Sequence, residues 1–261
     1  MEGKVQKFHL FVAALMLVLV ACQGGAVGET DLLESGLAHL EAGEYADAIT
    51  DLEAAVEADP GNNEAHFLLG QAYNQAGDLR KATDEFRTVL ALDPDNAAAH
   101  HNLGVTYFQL QDLGAAVAQF EAALALDPDD PDTHYQLGAT YLVIALSGAD
   151  PMALLDLQPL EQAVAEFETA LELEEGMPEA LIGMGNVYIQ QADYAAAIEV
   201  LQQAIEQSPD SPQAYYALGE AYARSGDTAG ACEAYDHFLT LNPPSDWRIQ
   251  GEQAMTALGC P

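Results

Sequence analysis

The chain has 261 residues, half of them apolar, and carries 42 Asp and Glu against 7 Lys and Arg, a net charge of −35. With so few cations there is no basic patch, which excludes binding to nucleic acid or an anionic bilayer through counterion release. Apolar content this high, at regular spacing, also excludes a merely disordered acidic tail. The acidity has two readings: adaptation to high salt, where screening relieves self-repulsion, or a surface meant for neutral or basic partners.

In chain order, Lys4 and Lys7 come first, followed by Leu10 to Ala21, an unbroken apolar run of twelve residues. A membrane-spanning helix needs roughly 20, so the run reads as a secretory signal over 1–21. Its last tetrad, Leu19-Val20-Ala21-Cys22, resembles the bacterial lipobox. The resemblance implies cleavage before Cys22, acylation of its sulfur, and a stable tether, since two or more acyl chains hold a protein at a bilayer. The other reading is an ordinary signal peptide with Cys22 as a later disulfide partner. Gln23, rather than Asp, implies sorting to the outer membrane in an organism that has one. Residues 22–28 form a short linker, so the folded part of the chain works close to that membrane.

From residue 29 onward the chain repeats itself. "LLGQAYNQAGDLRKATDEFRTVLALDP" (68–94) lies over "NLGVTYFQLQDLGAAVAQFEAALALDP" (102–128) without a gap, at a period of 34 residues. Glycines recur at Gly36, Gly70, Gly104, Gly138, Gly185 and Gly219. Alanine follows twelve residues later at Ala48, Ala82, Ala116, Ala197 and Ala231. Tyrosine follows three after most glycines (Tyr73, Tyr107, Tyr141, Tyr188, Tyr222), and proline closes most units (Pro60, Pro94, Pro128, Pro209, Pro243). Apolar residues at i, i+3, i+4 and i+7 in each half-unit predict two amphipathic helices. Small residues let the pair approach closely, with the tyrosine filling space one turn on. "AGD" (76–78) and "SGD" (225–227) supply turns, and proline ends the second helix. One such hairpin cannot bury both faces, so the units must stack.

The pattern resembles the tetratricopeptide repeat, whose Leu-Gly, Tyr, Ala, Phe, Ala and Pro signature it carries in six copies: 29–62, 63–96, 97–130, 131–177, 178–211 and 212–243. The resemblance implies an all-α, right-handed superhelical solenoid. The first copy departs from it at Ser35 and His39, and the fourth has Glu175 in place of proline. Residues 244–261 predict a capping helix and tail, with Trp247, Ile249, Ala254 and Leu258 on its apolar side. The fourth copy is thirteen residues longer than the others. Its first helix is expected to run to about Ile144–Leu146 before "SGADP" breaks it. Met152 to Leu157 then either tucks against a neighbouring repeat or contacts a partner.

In arrays of this kind the first helix of each repeat lines a concave groove that binds a protein or extended peptide. Residue by residue, the resemblance places Phe67, Gln71, Asn74, Gln75, His101, Phe108, Gln109, Tyr135, Leu142, Ile182, Asn186, Ile189, Gln190, Tyr216 and Glu220 there. Amides can pair with a peptide backbone through both donor and acceptor, and aromatics give apolar pockets. Sugars suit the same surface. The cationic clamp that some relatives use for a carboxylate is missing; Arg224 is the lone groove cation. His66, His100 and His134 occupy one repeat position, on helices too far apart to share a metal, and read as packing or hydrogen-bonding residues. No phosphate loop, serine elbow or Cys–His pairing occurs, so no enzyme, cofactor or metal is expected. Cys232 and Cys260 lie where antiparallel packing brings helix ends together, and either pair in an oxidising compartment or stay free. The expected function is a membrane-tethered scaffold. Its runners-up are an assembly factor resembling the pilotins of type IV pili and a cell-wall or polysaccharide-assembly accessory.

Overall fold

The structure, a computed structural model, describes residues 29–147 and 159–261. The proposed lipid-bearing Cys22 and the segment Met152 to Leu157 lie outside the described residues. The chain divides into two compact units, Met1–Leu92 and Asp93–Pro261. In the first, α1 (Glu29–Glu41), α2 (Tyr45–Ala58), α3 (Asn63–Ala76) and α4 (Leu79–Leu92) form two hairpins. α1 packs on α2, α3 on α4, and α3 closes against both α1 and α2.

The second unit continues the pattern. Its hairpins pair α5 (Ala97–Gln109) with α6 (Leu113–Leu126), α7 (Pro131–Ser147) with α8 (Pro159–Leu173), α9 (Pro178–Gln190) with α10 (Tyr194–Gln207), and α11 (Pro212–Ser225) with α12 (Thr228–Thr240). A last helix, α13 (Ser245–Leu258), packs on α12. Successive first helices touch: α5 with α7, α7 with α9, and α9 with α11. Among the described residues there is no strand, and no helix is long and apolar enough to cross a membrane.

Local chemistry sets the helix boundaries. The side chains of Asn62, Asn96, Asp112, Asp193, Ser211 and Asp227 each accept a hydrogen bond from the backbone N–H three residues on. Each such cap satisfies a donor that the first turn leaves unpaired. Three hairpin turns place glycine in the left-handed region, Gly43 (φ 75°), Gly77 (φ 83°) and Gly226 (φ 90°). The equivalent turns of the third and fifth repeats have no glycine. Gln111 (φ 62°) and Ala192 (φ 61°) take that conformation instead, at a cost of roughly 1–2 kcal/mol each.

The recurring glycine has a definite partner, the large side chain sixteen residues on in the regular repeats. A Cβ at Gly104 would stand 2.6 Å from the Phe120 ring, at Gly70 2.8 Å from Phe86, and at Gly185 2.6 Å from Leu201. In the lengthened repeat Phe167 fills this role, 2.9 Å from a Cβ at Gly138 and 2.5 Å from one at Gly183. Phe86, Phe120, Phe167 and Phe238 are all fully buried. The tyrosine three residues after the glycine does more than fill its own hairpin. Its hydroxyl reaches back to the previous repeat's second helix: Tyr73 donates to Glu53, Tyr141 to Glu121 at 3.4 Å, and Gln202 donates to Tyr222 at 3.1 Å. Burial first, then the nearby carboxylate, pushes the Tyr73 and Tyr141 hydroxyls well above the ordinary phenol range. They therefore remain donors.

α13 stands where the first helix of another repeat would stand. Gly251 receives Phe238 as Gly183 receives Phe167, with a Cβ 2.7 Å from the ring. Trp247 stacks on Tyr216 at 6.2 Å. Cys232 and Cys260 are joined, with Cα atoms 5.6 Å apart, which ties the end of this helix to α12.

Candidate functional site

The candidate face is the outward side of the first helices. In the first unit, Phe67 is half-buried and meets the Phe86 ring edge-on at 5.9 Å. Gln71 and Asn74 are half-buried one and two turns on, and Gln75 is exposed. In the second unit, the residue equivalent to Phe67 recurs as His101, Tyr135, Ile182 and Tyr216, all half-buried. Each ring leans on an aromatic beneath it: His101 on Phe120 (5.9 Å), Tyr135 on Phe167 (6.1 Å) and Tyr216 on Phe238 (5.3 Å). Phe108 and Asn186 are half-buried further along, while Gln109 and Gln190 are exposed. The row is thus anchored from below by the core and open above.

Two residues expected on this face are not there. Leu142 is 8% and Ile189 1% exposed, both within apolar clusters of the second unit. They occupy the position four after the glycine, at the boundary between the outward face and the core. There polar Asn74 and aromatic Phe108 stay half-buried, whereas the two aliphatic side chains turn fully inward. Tyr216 is partly used by the protein itself, since Trp247 covers one face of its ring. Glu220 is half-buried, and it pairs with Arg224 at 2.7 Å, so the lone cation of this face is already engaged.

Charge is distributed unevenly between the two rows of helices. α3, α5, α7, α9 and α11 together carry four carboxylates (Glu64, Asp132, Glu179 and Glu220), against eleven on α4, α6, α8, α10 and α12. α5 has none. Outside these, α1 and α2 carry four carboxylates each and α13 two, and most of the others lie in turns. After α1, each first helix thus carries at most one carboxylate and presents amides and aromatics instead.

The three periodic histidines are hydrogen-bonding residues, as their spacing suggested, and the structure supplies their partners. His66 Nδ1 lies 2.6 Å from Glu85 and its Nε2 3.1 Å from the Pro60 carbonyl. His134 repeats this with Glu166 (2.6 Å) and Pro128 (3.1 Å), and His100 with Gln119 (2.9 Å) and Pro94 (3.2 Å). Each ties the turn before its repeat to that repeat's second helix. The signal was a His followed nineteen residues on by Glu or Gln (Glu85, Gln119), displaced by the insertion to Glu166. Burial holds the His101 pKa below its usual value despite the opposing charges of Asp130 and Asp132. His101 Nδ1 sits 2.6 Å from the Thr133 hydroxyl. In the first repeat, His39, Glu44 and Asp47 bring potential ligand atoms within 4.8 Å of one another. The group is already partnered internally, since His39 Nδ1 lies 2.6 Å from Glu44.

The sequence matches three family models: one described as "Tetratricopeptide repeat" over residues 39–103, one as "TPR repeat" over 106–142 and 185–226, and a second "Tetratricopeptide repeat" model over 212–245. Together they cover more than half of the chain. The chain belongs to the tetratricopeptide-repeat family. No curated protein matches it in sequence. Solved tetratricopeptide-repeat structures share its fold. PilW, described as a widely conserved type IV pilus biogenesis factor, superposes with a TM-score of 0.71 at 18% identity, over 83% of this chain and 94% of its own. PilF of Pseudomonas aeruginosa gives 0.67 at 21% identity, over 86% and 97%. YrrB, described as a TPR protein with an unusual peptide-binding site, gives 0.54 at 21% identity, over 77% and 97%.

Proposed function

We propose that this tetratricopeptide-repeat protein is a non-enzymatic scaffold that holds a protein or extended peptide, neutral or basic, on the outward face of its first helices. The supporting observation is the composition of that face. Half-buried aromatics are braced by core rings, amides lie beside them, and the carboxylates crowd elsewhere. Amides pair with a backbone in both directions, and rigid aromatics add contact area at low entropic cost. If this is right, a variant carrying Asn74→Ala, Phe108→Ala and Asn186→Ala loses most of the partners that the wild type captures from a membrane extract, while helicity and melting change little. Each lost hydrogen bond costs about 0.5–1.5 kcal/mol. Full retention of the captured partners would contradict the reading.

The scaffold is proposed to be lipid-anchored through Cys22 on the outer side of the cytoplasmic membrane. In a Gram-negative cell that is the outer membrane facing the periplasm; otherwise it is the cell surface. The linker of about seven residues reaches at most about 25 Å, which keeps the binding face near the bilayer. The Cys22→Ala protein should remain unprocessed or leave the detergent phase. Maturation and partitioning like wild type would remove the anchor from the account. A second reading is an assembly factor for a pilus or outer-membrane complex. It is favoured by one observation, that PilW and PilF match this chain over almost their whole length.

A further inference from the structure

Where α7, α9 and α11 approach one another in the second unit, the face opens into a cavity of about 370 Å³. That lies near the lower end of the roughly 300–1,000 Å³ range of ligand pockets. Its walls are the Tyr135 ring, the Ile182 side chain, and the rings of Pro178 and Pro212. Ser208, Ser211, Gln213 and two carboxylates, Glu179 and Asp210, complete the lining, and both carboxylates are exposed. No Lys, Arg or His lines it. Burial, then the charge of Glu179, raises the Tyr135 pKa above its ordinary value, so the ring presents a neutral hydroxyl.

We infer that this cavity anchors a lysine or arginine side chain of the bound partner, its aliphatic shaft lying between Tyr135 and Ile182 and its cationic head meeting Glu179 and Asp210. The inference rests on the reading that the first-helix face binds a peptide, and it names the side chain that this face selects. Long basic side chains suit a site with apolar walls and a charged rim, because they bury the stem and keep the head in water.

The competing occupant is an anion, because α9 and α11 direct their N-termini toward this region. Each helix end carries about half a positive charge, whereas each carboxylate carries a full negative one. Proline as the first residue of both helices removes an N–H that an anion would use. Ser211 already caps α11 by accepting from Ala214 N–H. The balance is negative, in a chain with a net charge of −35.

The test uses the whole protein in detergent at near-physiological salt. Backbone amide resonances are followed as blocked Gly/Ser heptapeptides with a central lysine, arginine, norleucine or glutamate are added. The lysine and arginine peptides should shift Ile182 and Gln213 saturably, and bind about fivefold or more tighter than norleucine, the gain expected of two exposed ion pairs. Glu179→Gln with Asp210→Asn should bring lysine to the level of norleucine while leaving norleucine binding unchanged. Equal binding of lysine and norleucine, a lysine preference that survives the double substitution, or a preference for glutamate overturns the anchor but leaves peptide binding standing. Absence of any shift on α5, α7, α9 or α11 with every peptide overturns both.

Discussion

Phe167→Ala should destabilise the second unit by about 3–5 kcal/mol, the range for removing a fully buried aromatic ring. The ring is fully buried and lies against two glycines at once, Gly138 of its own hairpin and Gly183 of the next. Its loss therefore opens space both within a repeat and between repeats. A paired substitution isolates the cause. Gly138→Ala alone forces a methyl to 2.9 Å from the ring and should cost about 1–3 kcal/mol through overpacking. In the Phe167→Ala background the same methyl fills vacated space and keeps only its 3.2 Å approach to the Ala163 carbonyl, so its cost should fall sharply or change sign. Non-additivity of this kind is what contacting residues show. Urea unfolding of the four proteins measures it. Additive costs would mean that the glycine is not there to admit the ring.

The second large effect is expected at the C-terminal end. Cys232 and Cys260 are 28 residues apart, and a crosslink closing such a loop contributes about 3–4 kcal/mol in the chain-entropy model. Replacing both by serine should lower the melting midpoint and loosen α13 first. The signature is Trp247, whose ring leaves Tyr216 and Phe238 when α13 undocks. Its fluorescence should shift to the red before helicity is lost. Dithiothreitol should produce the same change in the wild type and none in the Cys232→Ser/Cys260→Ser protein. A wild type indifferent to reductant would show that apolar packing alone holds α13.

Much of the fold is legible in the sequence because the repeat writes the same instruction six times. The glycine, alanine and tyrosine spacing, the AGD and SGD turns and the closing prolines are local signals, and together they specify an all-α tetratricopeptide-repeat solenoid. What is not legible depends on neighbours. Tyr73 reads as space-filling within its hairpin until the Glu53 carboxylate of the preceding repeat is placed beside its hydroxyl. Leu142 and Ile189 share a repeat position with Asn74 and Phe108. A one-residue step turns a helix by 100°, so a boundary position is decided by what the adjacent helix offers rather than by spacing. Two short aliphatic side chains found apolar neighbours and were buried. The His66, His100 and His134 clamps join residues nineteen or more apart, outside the window in which helix periodicity is read. The pocket at Tyr135 and Ile182 is likewise a product of three repeats meeting, which no single copy encodes.

The central claim is that a partner lies along the first helices, not on the inserted segment of the fourth repeat. Site-specific photo-cross-linking addresses it directly. A photoreactive side chain is placed in turn at the exposed residues Gln109 and Gln190 on the first helices and Gln203 on a second helix, and within residues 147–158. The account predicts that one shared partner is cross-linked from positions 109 and 190 and not from 203 or the insertion. Capture from the insertion, with none from 109 or 190, would contradict it.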